Sequence, residues 1–263
     1  MTRLFIAALV LLLAGSASGQ WLGYPAQNIP RNRDGTPNLL APAPRAPDGK
    51  PDLSGIWQPA ADPGDTAGGI EGIVAPKYQV NVMRDLKGAV PFQPWAKELF
   101  DRRQANKMRD NPMIQCLPAG VPRLDAYVHP YKIVQTPGLM VILYESQTMF
   151  RQIFTDGRSH PPDPEPSWLG YSIGKWEGDA LVVETVGFND KTWLDGLGHP
   201  HSDAMKLTER FRRRSFGHMD IEITIDDPKA YTRPIRYVQP QLLQPDTELI
   251  EYICNENAKP IGQ

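Results

Sequence analysis

The chain has 263 residues, 41% of them hydrophobic and 22% charged, with a formal net charge of −2. That balance lacks the basic footprint of a nucleic-acid-binding protein, and coiled coil, collagen and polytopic membrane protein are excluded by composition. The outlier is proline: 27 residues, about 10% and roughly twice average usage, in a chain with too many aromatic and β-branched residues to be disordered.

In chain order, residues 1–19 read as a signal peptide. Arg3 supplies the positive start, residues 4–14 form an unbroken apolar run, and small residues fill the cleavage zone before Gln20. The run is shorter than the roughly 20 residues a membrane span needs, and no later segment is long and apolar enough to anchor the chain. A periplasmic or secreted mature protein without an integral membrane segment is expected. Export makes Cys116 and Cys254 interpretable: no CxxC or metal spacing exists, and in an oxidising compartment they are expected to form one structural disulfide.

Sixteen of the 27 prolines fall between Pro25 and Pro130. Residues 20–52, with the turn pairs Asp34-Gly35 and Asp48-Gly49, are expected to be an extended proline-rich arm lying over a single domain of residues 53–263. Pro94 suits the first turn of a helix over about 94–109, with Trp95, Leu99 and Met108 on its apolar face. Strands follow over 131–136, 139–146, 149–154, 171–176, 180–187, 205–212, 219–226, 235–239 and 247–254, and residues 53–58 add one more. Glu177-Gly178-Asp179 is a hairpin turn. Met219, Ile221, Ile223 and Ile225 alternate with polar residues, the pattern of a half-buried antiparallel strand. Such a meander predicts a mainly β fold, an antiparallel calycin-like or lipocalin-like barrel, with a two-layer sandwich as the alternative.

Charges stand at apolar phase in several strands. Glu184 shares a phase with Val182 and Val186, Glu209 with Leu207 and Phe211, Glu145 with Val141 and Leu143, and Arg151 with Met149 and Ile153. If those faces point inward, the barrel holds three carboxylates and a guanidinium, which must pair or shift their pKa. Convergent charges in an apolar cavity are the usual composition of a ligand or catalytic site; a structural ion-pair network is the competing explanation. Loops add Arg123, Asp125, His129, Arg158 and His160. Histidine titrates near working pH, so His129 and His160 are the acid/base candidates, with Glu184 and Glu209 as base or orienting carboxylates. Arg123, Asp125, Glu145, Arg151, Arg158 and Trp176 are candidate substrate contacts. His199, His201 and Asp203 have metal-like spacing but too few ligands for a complete site. No nucleotide, P-loop, HExxH or GxSxG fingerprint is present, so no cofactor is expected.

Four segments, DGKPDLSGIW (48–57), CLPAGVPR (116–123), FTDGRSH (154–160) and GKWEGDALVVET (174–185), together resemble a large, uncharacterised family of exported bacterial proteins found in acidobacteria and proteobacteria. The resemblance implies export and a shared fold, and it carries no reaction. Gly55-Ile56-Trp57 also resembles the G-x-W signature of lipocalin-like barrels. The functional expectation is an exported small-molecule enzyme using cofactor-independent acid/base chemistry (lyase, isomerase or hydrolase) on a hydrophobic or aromatic substrate in a barrel cavity. The alternative is a non-catalytic periplasmic ligand-binding protein.

Overall fold

The computed structural model describes residues 26–60, 66–67 and 74–255; the leader read over 1–19 and the start of the arm lie outside them. β1 (Gly55–Pro59) is followed by a minimal ribbon, β2 (Thr66–Ala67) with β3 (Val74–Ala75), and by the short helix α1 (Lys77–Val80) and α2 (Pro94–Ala105). Then come β4 (Tyr131–Thr136), β5 (Leu139–Tyr144), β6 (Phe150–Phe154), β7 (Tyr171–Glu177), β8 (Ala180–Val186), β9 (Lys206–Arg213), β10 (His218–Asp226) and β11 (Ile235–Leu243).

Nine of these strands close into a barrel in the order β1-β11-β10-β9-β8-β7-β6-β5-β4, with β4 returning to β1. Closure excludes the sandwich and leaves no long edge. The expectation of purely antiparallel pairing is corrected at one seam: β6 and β7 run parallel, joined only over Ile153↔Ser172 and Phe154↔Ile173. The cause is residues 155–170, which cross from one end of the barrel to the other, as a parallel pair requires. Gly170, at φ +66°, starts β7 where a Cβ would lie 2.7 Å from the Val186 carbonyl oxygen.

Other boundaries also move. Residues 247–254 form no strand, only a bridge from Tyr252 to Ser146. β11 continues through Pro240, whose carbonyl still accepts the Ala60 N–H. Helix α2 stops at Ala105 because Lys107 and Met108 turn into left-handed backbone. It packs through Ala96 and Arg103, while Trp95 is 41% exposed.

The starts of β4, β6, β7 and β9 and the ends of β1, β5, β8 and β10 lie at one end, capped by α2 and the loops 106–130, 187–205 and 227–234. A 3₁₀ turn, Leu124–Ala126, plugs it, with Leu124, Asp125 and Ala126 all buried. The disulfide Cys116–Cys254 ties this cap to the C-terminal segment. At the opposite end Leu39 of the arm lies against Gly217, where a Cβ would approach Leu39 Cβ to 2.5 Å.

The arm is folded rather than plainly extended. Residues 31–37 and 45–51 share the pattern Arg-x-x-Asp-Gly-x-Pro and the same loop. In both, the aspartate accepts the N–H two residues on, at 3.0 Å, the glycine has positive φ, and the arginine bridges to the proline. Each arginine also donates to its own loop glycine's carbonyl and grips a distant carboxylate with both nitrogens: Arg31 holds Asp246 and Arg45 holds Asp179.

Candidate functional site

Strand alternation decides what enters the barrel. In β9, Leu207, Glu209, Phe211 and Arg213 point inward; in β6, Arg151 and Ile153 do so. The Arg151 guanidinium, 1% exposed, donates to Glu209 Oε1 at 3.0 Å and also to Oε2. Its remaining hydrogen bonds go to Ser172 Oγ at 3.1 Å and Thr185 Oγ1 at 2.8 Å. Burial alone would lower the Arg151 pKa, but the Glu209 charge and hydrogen bonds raise it, so the guanidinium is fixed as a cation.

A second carboxyl arrives from the plug. Asp125 is fully buried; its Oδ1 accepts the Tyr144 hydroxyl at 2.7 Å and its Oδ2 lies 3.7 Å from Arg151 Nη1. The plug is seated by β11, where the Gln239 and Gln241 side-chain amides both donate to the Asp125 backbone carbonyl. Burial first, then the adjacent Glu209 carboxylate, push Asp125 well above the usual carboxylate range. Holding a proton there turns carboxylate repulsion into a hydrogen bond with Glu209. Burial likewise keeps the Tyr131, Tyr144 and Tyr237 phenols neutral.

The barrel interior is polar beyond what it satisfies. The hydroxyls of Tyr131 and Tyr237 and the amide oxygens of Gln239 and Gln241 are buried without a hydrogen-bond partner. Native interiors leave few such groups, and each calls for an explanation. Outside, the short β6–β7 seam opens into a groove of about 520 Å³ lined by Met149, Phe150, Phe154, Trp168 and Tyr171. Its wall includes Arg151 and Ser172, whose side chains turn inward and are 2% and 1% exposed.

Of the residues expected to meet, Asp125, Arg151 and Glu209 converge. The others are dispersed. Glu184 is on the outer face of β8, 2.9 Å from Lys206, because Leu181, Val183 and Thr185 take the inner face. His160 places Nε2 3.1 Å from the Glu184 backbone carbonyl oxygen, outside the barrel. Arg158 is exposed, pairs with Asp156 and covers the Phe154 ring. His129 stacks between Tyr127 and Tyr252 near the disulfide, and burial lowers its pKa. Arg123 lies in the cap, donating to Asn111, with its Nε unpartnered. Glu145 is buried just past β5, under the C-terminal segment, where burial raises its pKa. Trp176 packs on the core at the arm end of β7. The convergence of His129 and His160 with Arg151, Glu184 and Glu209 is not found.

The metal-like trio also separates. His199 Nδ1 is 2.6 Å from Asp195 Oδ2, His201 Nε2 is 2.7 Å from Thr192 Oγ1, and Asp203 pairs with Lys229 at the surface. Among the described residues no group of three or more His, Cys, Asp or Glu gathers as a ligand set.

Sequence reading missed Tyr144, Thr185, Gln239 and Gln241. The glutamines had a signal: Ile235, Tyr237, Gln239, Gln241 and Leu243 alternate as one inward face once the strand is allowed past Pro240. No family model, curated protein or solved structure matches the chain.

Proposed function

We propose that the protein is an exported small-molecule enzyme whose buried carboxyl pair, Asp125 and Glu209, supplies cofactor-independent acid–base chemistry to a hydrophobic or aromatic substrate. The observation that carries this reading is the set of four unpartnered polar atoms around Asp125, the Tyr131 and Tyr237 hydroxyls and the Gln239 and Gln241 amide oxygens, a surplus of hydrogen-bonding capacity that a substrate's polar group would use. A protonated Asp125 is the acid, and Glu209, oriented by Arg151, receives the returning proton. The tyrosine hydroxyls of the barrel interior are neutral donors for a developing oxyanion. Such chemistry covers lyases, isomerases and hydrolases. The aromatic groove at the seam takes the apolar body of the substrate. Export is supported by the leader pattern, the resemblance to exported bacterial proteins and the disulfide.

The test is to incubate the purified protein with culture-extract metabolites and follow masses. Product formed by the wild type and lost in Asp125→Asn, with the circular-dichroism spectrum unchanged, is the expected result. A ligand that is retained but unaltered by the wild type overturns the enzyme reading. That outcome supports a binding protein instead, a second reading favoured by how completely Glu209, Ser172 and Thr185 already occupy Arg151.

A further inference from the structure

A recess of about 310 Å³ runs along the outer side of β1, between that strand, the arm and residues 243–248. Its apolar lining includes Ile29, Ile56, Phe216 and Leu243. Ile56 alternates with the inward Trp57 and so stands on the outer face of β1, yet it is only 6% exposed. The charged groups around the recess are engaged within the fold. Arg31 holds Asp246, Lys132 lies 3.0 Å from Glu248, and the Asp52 carboxylate accepts the Ser54 N–H at 2.8 Å. Arg213 donates to the backbone carbonyls of Asp52, Ser54, Ser215 and Phe216. An anionic occupant would find no free cation here, whereas an uncharged apolar one would leave water for an apolar lining.

The chain itself leads into this recess. Ala26, where the described residues begin, is part of its wall, and the Ala26 N–H is pinned to Asp246 Oδ1 at 3.0 Å. Gln27, Asn28 and Ile29 continue the same wall. Immediately before Ala26 stands Gln20-Trp21-Leu22-Gly23-Tyr24-Pro25, six residues without a charged side chain, three of them large and apolar or aromatic. Six extended residues reach about 20 Å, ample for a recess whose wall includes the residue they are joined to. We infer that residues 20–25 of the mature chain seat in this recess, with Trp21, Leu22 and Tyr24 covering Ile56 and its neighbours. The inference rests on the reading of residues 1–19 as a leader that is removed, and it is independent of the acid–base site. Export and folding then meet in one step: the cut that ends transport also frees the piece that completes the arm.

The exported protein is purified, its mass is measured, and a Trp21→Phe variant is prepared in parallel, so that the difference between the two fluorescence spectra is the emission of Trp21. That emission is expected to be blue-shifted, and less quenched by iodide, than that of the free hexapeptide of residues 20–25. Thr247→Arg, a long charged side chain placed on the recess wall, should return Trp21 to peptide-like emission; Ile29→Arg repeats the test from the arm if the first variant folds poorly. A chain beginning at Ala26 should bind the hexapeptide saturably. Trp21 emission and quenching equal to those of the free peptide overturn the inference. Shielding of Trp21 that grows with protein concentration overturns it too, and assigns the recess to a second copy. A mass that retains residues 1–19 overturns the leader reading, and this inference with it, while the acid–base site stands.

Discussion

Glu209 and Glu184 sit on neighbouring strands one register step apart, Glu209 opposite Val183 and Glu184 opposite Thr208. Glu209 is sealed inside with Arg151; Glu184 faces solvent with Lys206, both side chains nearly half exposed. Each makes one ion pair of ordinary length or shorter. The pairs differ in what remains when one partner is removed. Inside, the survivor is a desolvated cation with no water to replace its partner; outside, water and salt take the place of the lost group. The same residue type thus has a structural or chemical role in one phase and almost none in the other.

The sharpest way to break this comparison is Glu209→Ala, which leaves Arg151 with only the more distant Asp125 carboxyl, 3.7 Å from Nη1. It is expected to cost about 3–5 kcal/mol in urea-monitored unfolding, and a loss like that of Glu184→Ala would show that the interior pair is hydrated. Next is Tyr144→Phe, which withdraws the donor to Asp125 Oδ1 and should cost about 1–3 kcal/mol by the same measurement. Asp125→Asn acts on pH dependence. The folded pKa of Asp125 is raised, so its contribution is full below the unfolded value of about 4 and is lost as pH rises through the folded value. The wild type should therefore lose stability over that window relative to Asp125→Asn, and parallel profiles of unfolding free energy against pH would contradict the assignment. Smallest is Glu184→Ala, expected within about 1 kcal/mol and vanishing in high salt, read from melting temperatures at two ionic strengths.

Much of the barrel was legible because alternation reports the burial of one face. The clean register of Met219 to Asp226 led directly to β10, and the inward phase of Glu209 and Arg151 was readable beside Leu207 and Ile153. Glu184 was misplaced because β8 is apolar on both faces: Val182 and Val186 flank it outside while Leu181 and Val183 fill the inside. Phase then carries no sign. Asp125 was visible only as a polar loop residue, since a 3₁₀ plug has no periodicity to reveal its direction. The seam was hidden for another reason: nothing local in residues 155–170 tells a crossing connection from a loop that turns back. Trp95 shows the limit of composition, being a large aromatic whose indole N–H binds the Lys229 carbonyl at 2.6 Å while the residue stays 41% exposed.

The paired loops of the arm raise the question of register along the chain. Two copies of one seven-residue piece, fourteen positions apart, offer interchangeable arginine clasps, so a seating error of one whole unit would satisfy every bond inside each loop. What forbids the slip is position. The second copy runs straight into Leu53, wholly buried, and Trp57 of β1, whereas the first runs into Leu39 and the largely exposed Leu40. Moving the arm by one unit would draw the wholly buried Leu53 out of the core and offer Leu39, only partly buried, in exchange. The duplication therefore multiplies points of attachment, while a single hydrophobic landmark downstream keeps the count.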